Sequence, residues 1–541
     1  MYADDITLFL EDEKHVHTVL NILQEFYAMS GLKLNKAKTE ALWIGLNKTI
    51  QLNINDLKWK LYPNNYVRSL GVTFCSSKSA NEVPNNWEAK VKKIKNIINA
   101  WKGRNLTMVG KIIIIKSLLA SQLTYVSSIL NLQEKVVKEL NTLLYQFVWG
   151  GKDRVKRKTI VNDYEKGGLK MINLPDFLES LKLSWIKRLT NETVSTWKNI
   201  AYYEFYKLSI GIDIFKCNCN YMSLNEICKK EMNSMNTFYR SLIELWLKCK
   251  TIRSVDEVNN PGSEIIWNNE NIKYNGKTLY FKHWIRNGYT NVSSLQTEDG
   301  VLKPMKHFND KVKKIGGVML DYQTLLLSIS KEWKERKSKG TNEKYPNGIR
   351  HNEFFYQLEL CTSKIIRYSL TAAYAVKPNS QVFWERKFPN YSFEWDKIWK
   401  NIPLYSNEAK LISLNWKILS NIYPTSILLK KIGKRNSSKC QECNEEDYLE
   451  HFFFNCKLVR SVWCEIESII LEQIGRKVEI SLTDSLFGFY KRNKGENEFI
   501  NRLIIIAKVC ISKFKYGKHP NLTFLFKNEL SLRNWNILQM T

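Results

Sequence analysis

From Glu13 to Ser30 apolar side chains recur at Val16, Val19, Leu20, Leu23, Phe26 and Tyr27, the spacing that lines one face of a helix, and Gly31 supplies its stop. Ahead of it, "MYADDITLFL" sets Asp4 and Asp5 among apolar residues. Aspartate suits turns better than strands, so the pair reads as a hairpin tip. Ile6, Leu8 and Leu10 then alternate with Thr7 and Phe9 along the return arm. "TEALWIG" and "NYVRSLGVTFC" read as short strands with glycine bends, so residues 1–84 predict a partial α+β unit. From Asn85 to Thr190 the period turns helical, around "WEAKVKKIKNIINAW", "MVGKIIIIKSLLASQLTYVSSIL" and "KVVKELNTLLYQFVW". Residues 193–400 mix short helical and strand-like patches, with tryptophans at 197, 246, 267, 284, 333, 384, 395 and 399 and no repeat period. "RKSKGTNEKYPNGIRH", polar and holding glycine and proline, reads as a linker. After it "EAKLISLNWKILSNIYPTSILLKKIG" predicts a helix up to Tyr423, ended by Pro424. The expected class is α+β and predominantly helical, with segments 1–84, 85–192, 193–400 and 401–541.

A chain of 541 residues is long for one core, and 44% hydrophobic with 12% aromatic residues is enough to build several. Charge adds more: 82 Lys and Arg stand against 53 Asp and Glu, a formal +29. Such an excess points to a polyanion, either nucleic acid or an anionic membrane face. Residues 85–190 hold 20 basic and 8 acidic side chains, a net +12, interleaved with Trp101, Trp149 and Trp185. Basic helices with aromatics suit a nucleic-acid duplex. The candidate contacts are Lys102, Arg104, Lys111, Lys116, Arg154, Lys156, Arg157 and Lys158, the last four in the dense run "GKDRVKRKT". No run reaches the roughly 18 apolar residues that span a bilayer. "KIIIIKSLLA" and "RLIIIAKVCI" are both interrupted by lysine. A nuclear or cytoplasmic location without a membrane partner is expected. There thiols stay reduced, and clustered cysteines read as metal ligands.

One cluster qualifies. Cys440-x2-Cys443-x7-His451-x4-Cys456, within "CQECNEEDYLEHFFFNC", offers the four nitrogen and sulfur donors of a tetrahedral Zn²⁺ site. A full donor set leaves no position for water, so the zinc would be structural. Cys217, Cys219 and Cys228 have no fourth ligand nearby and read as ordinary thiols. No phosphate-binding glycine loop and no nucleophilic serine elbow occurs. Adjacent carboxylates such as Asp4 and Asp5 suit a hard divalent cation.

"YADDITLFL", the amphipathic helix, "SGLKLNKAKTEALWIG" and "VRSLGVTF" together resemble the second half of a reverse-transcriptase palm of LINE-type, non-long-terminal-repeat retrotransposons. The resemblance implies RNA-directed DNA polymerase chemistry with Mg²⁺ or Mn²⁺ and a dNTP substrate. Asp4 would ligate metal, with Asp5 in the same carboxylate cluster and Tyr2 near the primer terminus. Gly31, Leu32, Asn35, Lys38 and Thr39 would form the post-catalytic motif, and Leu70 and Gly71 the primer grip. Residues 85–192 look like the thumb and 193–400 like a connector. The Cys/His cluster is similar to the zinc-binding segment downstream of reverse transcriptase in the same elements, where Glu450, His451, the phenylalanines and Trp463 recur. The implied partners are RNA and DNA, as element RNA or a primer–template duplex. The family palm takes a third carboxylate from an earlier strand and carries template-binding fingers before the turn, neither of which these residues supply. The expected state is a fragment that keeps nucleic-acid binding and has lost polymerisation. The alternatives are a domesticated RNA-binding protein, or an active enzyme whose upstream half lies outside this sequence. A two-metal mechanism needs both ions fixed against the primer 3′-oxygen. Primer extension on poly(rA)/oligo(dT) with Mg²⁺ or Mn²⁺ is therefore expected to equal that of an Asp4→Ala control; extension above the control would overturn the fragment reading.

Overall fold

A computed structural model of the chain describes residues 6–12, 14–44, 58–60, 66–75, 84–309, 311–312, 318–335, 346–351, 353–404, 408–517 and 521–533. Tyr2, Asp4 and Asp5 lie outside them. Helix Lys14–Ser30 ends as its spacing predicts: Gly31 takes φ +73° and its N–H reaches the Tyr27 carbonyl at 2.8 Å. Ile6 to Leu10 differ from expectation, forming no strand and leaving Ile6, Leu8 and Phe9 exposed. Thr7 Oγ1 lies 2.9 Å from Ser69 Oγ, but this is a side-chain contact, and without a backbone ladder among the described residues the segment is not a strand.

Strand β1 (Glu40–Leu42) pairs in parallel with β2 (Lys58–Lys60), and β3 (Tyr66–Ser69) runs antiparallel to β4 (Val72–Cys75). The β3–β4 turn is Leu70–Gly71, both left-handed at φ 47° and 79°, as a two-residue hairpin of this hand requires. A leucine there is strained. The Tyr125 hydroxyl holds it by donating to the Leu70 carbonyl at 2.6 Å. Asn86 closes the edge of β4 as a strand would, accepting from Thr73 N–H at 2.7 Å and donating to its carbonyl at 2.9 Å. Val72, Trp87, Val126 and Leu130 pack together behind the hairpin.

The chain divides into two compact units. The first comprises 1–96, 121–140 and 174–373, the second 97–120, 141–173 and 374–541, so residues 85–192 contribute to both. In the first, helices Leu174–Thr190, Thr237–Cys249 and Ser363–Ala372 pack around a core in which Trp246, Trp267, Trp284 and Trp333 are fully buried. The tryptophans spaced through this region are therefore core anchors. Trp267 donates to the Tyr289 carbonyl and Trp284 to Asp321. Strands β5 (Lys273–Tyr274) and β6 (Lys277–Thr278) form a small antiparallel hairpin. So do β7 (Gly348–His351) and β8 (Phe354–Gln357). The class is thus mostly helical, with four two-stranded sheets among the described residues.

Strand β7 corrects the linker reading. Residues 336–345 lie outside the described residues, but Asn347 is fully buried and donates to the Phe215 and Cys217 carbonyls while accepting from Arg253. Its partners stand about a hundred residues away, so local polarity misleads. In the second unit, helix Ala409–Leu419 stops four residues before Tyr423, because Asn421 turns left-handed at φ 54°. This helix packs on Met108–Ile114, where the Val109 N–H donates to Ser413 Oγ at 3.3 Å. Gly167 and Gly168 are required where the chain passes Trp416. A Cβ on Gly167, at φ +76°, would meet Pro378 at 2.6 Å, and one on Gly168 the Asn162 carbonyl oxygen at 1.9 Å. Not every cation is surface charge: Lys508 is buried and donates to Asn415 Oδ1 and the Leu486 carbonyl, and burial brings its ammonium down to about 7. Among the described residues no single helix is long and apolar enough to cross a membrane.

Candidate metal centre

Cys440 and Cys443 sit on a tight knuckle. Cys440 N–H donates to the Glu445 carbonyl at 2.8 Å and Asn444 N–H to the Cys440 carbonyl at 3.1 Å. Asn444 closes the turn at φ 59°, a conformation asparagine tolerates. His451 and Cys456 flank a single π-turn, His451–Asn455, closed by Cys456 N–H on the His451 carbonyl at 3.1 Å. In an α-helix, at about 100° per residue, positions i and i+5 point to different sides. The widened turn brings both toward the knuckle, a use of π-turns common at functional sites.

The four ligand atoms all lie within 4.8 Å of one another. Cys443 Sγ is 3.1 Å from His451 Nε2 and 4.0 Å from Cys456 Sγ. A zinc tetrahedron with bonds of about 2.3 Å has sulfur–sulfur edges of about 3.8 Å, so the donors fit this ion in kind and in size. Cys440, His451 and Cys456 are buried and Cys443 is half-buried, a closed site.

Electrostatics around the cluster agree. His451 Nδ1 faces Glu445 Oε2 at 3.2 Å, an orienting contact that leaves Nε2 for the cluster. Burial, then the Lys515 ammonium, hold His451 below its ordinary value, in the neutral form that ligates. For Cys440, burial opposes ionisation, but the N–H groups of Glu442 and Cys443 and the Lys515 charge outweigh it, and the thiol lies below its usual range. Burial and the neighbouring sulfurs push Cys443 up to about 11. Three thiolates cannot share this space without a cation, and a divalent ion removes the conflict. Three thiolates with Zn²⁺ leave one net negative charge, and the nearly buried Lys515, shared with Asp447 Oδ1 at 3.9 Å, adds a favourable positive charge nearby.

The cluster is tied into its unit on several sides. Asp447 Oδ2 accepts from Ser426 N–H at 3.1 Å and from its hydroxyl at 2.6 Å, at the start of helix Ser426–Lys431. Glu450 pairs with Lys387 at 2.5 Å, and the buried Trp463 indole donates to the Phe453 carbonyl at 3.0 Å. Sequence reasoning found the four ligands but missed Glu445, six residues before His451, and Lys515. Only the acidic run after Cys443 hinted at the first, and nothing local signalled the second.

The other candidates are placed as follows. Lys38 N–H bonds Asn35 in a local turn after Gly31. The eight basic residues singled out all belong to the second unit. Lys102, Arg104, Lys116, Arg154, Lys156 and Lys158 are exposed, while Lys111 and Arg157 are half-buried. The Arg104 guanidinium lies 4.3 Å over Trp101 and Lys158 Nζ 5.7 Å from the Tyr374 ring; Arg157 pairs with Asp153 at 2.7 Å. Two of the three interleaved tryptophans are taken up in packing. Trp185 packs edge-on against Trp197 and Phe238 and donates to the Ser128 carbonyl, and Trp149 lies 6.4 Å from Trp416. Cys217, Cys219 and Cys228 are buried in the first unit and form no metal cluster among the described residues.

Elemental analysis of the purified chain is expected to find about one zinc per molecule, and Cys443→Ser to abolish it. Glu445→Gln should keep the stoichiometry and weaken affinity by roughly 10–100-fold. Undiminished zinc in Cys443→Ser would show that other residues bind it.

Comparison with known proteins agrees with this geometry. Residues 368–463 match the family described as zinc-binding in reverse transcriptase, which spans all four ligands, Lys387 and Trp463. The chain is also 23% identical over 261 residues to the Transposon TX1 uncharacterized 149 kDa protein of Xenopus laevis. That alignment covers 47% of this chain and 19% of the relative, so the chain matches about a fifth of that protein's length. Both findings bear out the resemblance read from the cysteine–histidine spacing and its surroundings: the chain carries the zinc-binding domain of reverse transcriptases and is distantly similar to a transposon protein.

Proposed function

We propose that this chain is the part of a retrotransposon reverse transcriptase that holds the catalytic turn and the segments after it, and that it binds RNA or an RNA–DNA duplex. In this reading Asp4 and Asp5 are the palm's divalent-metal pair, Leu70–Gly71 is the primer grip and residues 85–192 are the thumb. Zn²⁺ on Cys440, Cys443, His451 and Cys456 folds the C-terminal module without taking part in chemistry.

The observation that carries the proposal is the placement of charge. The eight basic residues fall in the same unit as the Cys/His cluster, and six of them are exposed. Because Trp149 and Trp185 are committed to packing, recognition runs mainly through phosphates. Phosphate contact releases counterions, so affinity falls steeply with salt and is nearly indifferent to sequence.

Filter binding of an RNA–DNA duplex at two salt concentrations tests this. Lys156→Glu with Lys158→Glu, both exposed, should weaken binding and reduce the salt slope by about two. An affinity indifferent to salt would refute the proposal.

A further inference from the structure

A pocket in the second unit brings three basic side chains together. It has a volume of about 170 Å³ and is lined by Thr107, Lys111, Trp149, Arg154 and Lys417 among others. One water needs only about 10–15 Å³ by this measure, so the space admits a larger polar group. No carboxylate lines it. We propose that Lys111, Arg154 and Lys417 form a seat for one phosphate group.

The three cations come from segments far apart in sequence. Lys111 stands on helix Met108–Ile114 and Lys417 on Ala409–Leu419, two helices that pack together. Arg154 belongs to the loop after helix Glu134–Trp149. The neighbouring carboxylate in that loop, Asp153, is taken by Arg157, which also lies 4.5 Å over the Tyr145 ring. Neither the Arg154 nor the Lys417 side chain has an ion-pair or hydrogen-bond partner among the described residues, and Lys111 Nζ lies 3.4 Å from the Val148 carbonyl and 5.6 Å from the Phe147 ring, with no acid beside it. Burial and the Arg154 and Lys111 charges all depress the Lys417 ammonium, with no acid opposing them. Burial likewise lowers Lys111. Like charges held together this way are unfavourable unless an anion completes the set.

The chemistry selects phosphate. Two ammonium groups and a guanidinium offer charge-assisted donors from several directions, and a tetrahedral oxyanion accepts from all of them. Trp149, lining the same pocket, has a buried indole N–H with no acceptor among the described residues. Arg154 is exposed while Lys111 and Lys417 are half-buried, so a ligand enters past the arginine. The seat requires phosphate chemistry and not the nucleic-acid reading: the group could be a phosphodiester of a strand or a free phosphate.

Thermal unfolding and equilibrium binding of the full chain separate these cases. Inorganic phosphate should raise the wild-type melting temperature more than chloride at matched ionic strength, and Lys417→Met should abolish that difference. Because Lys417→Met relieves repulsion, it should also melt no lower than wild type without phosphate, which rules out a folding defect. Arg154→Met, at an exposed position, should weaken phosphate binding by about tenfold, the scale of one charged hydrogen bond. An oligothymidylate without terminal phosphates should lose affinity in the same two variants if the source is a strand, and be unaffected if the source is a free phosphate. Phosphate and chloride acting alike on wild type, with oligothymidylate affinity unchanged in both variants, would overturn the seat. Loss of all oligonucleotide binding in the wild type, with the phosphate effect intact, would instead count against the nucleic-acid function alone.

Discussion

Three sulfurs and one imidazole within 4.8 Å of one another are the constraint on which the C-terminal architecture turns. Such a set cannot be held by packing. Thiols in apolar surroundings resist ionisation, and ionised thiols repel. A divalent cation makes the same crowding favourable and links the knuckle to a π-turn whose Phe452 and Phe453 pack against Tyr423. The surroundings then lock onto them: Asp447 caps the start of helix Ser426–Lys431, Glu450 holds Lys387, and Trp463 bonds the Phe453 carbonyl. Lys515, from helix Lys494–Tyr516, brings a positive charge that Asp447 shares.

The same unit shows why a net charge is a poor map of a binding surface. Lys508 contributes to the formal +29 but lies in the core on two carbonyl-type acceptors. Lys156 and Lys158 are free to meet a polyanion. Lys111 and Lys417 lie between these extremes, half-buried with no acid beside them. What matters is which cations lack a partner. That depends on tertiary contacts, such as the pairing of Asp153 with Arg157.

Local chemistry was legible in the sequence. The helix ending at Gly31, the Leu70–Gly71 turn and the four zinc-type ligands each rest on residues that are near neighbours in sequence. Features set by distant contacts were not. The segment at Asn347 looked like a linker because its polarity is answered by Phe215, Cys217 and Arg253. Trp185 looked available for stacking until Trp197, Phe238 and Ser128 enclosed it. Lys417 gave no signal, since its charge acquires meaning only beside Lys111, some three hundred residues earlier. The π-turn after His451 is local in sequence, but only the ligand geometry it serves explains it.

X-ray absorption at the zinc edge of the purified 541-residue chain tests the centre most directly. A closed site predicts a first shell of three sulfurs at about 2.3 Å and one nitrogen at about 2.0 Å, with no water oxygen. A shell dominated by oxygen, or one with fewer than three sulfurs, would contradict the assignment of Cys440, Cys443, His451 and Cys456 as a structural zinc centre.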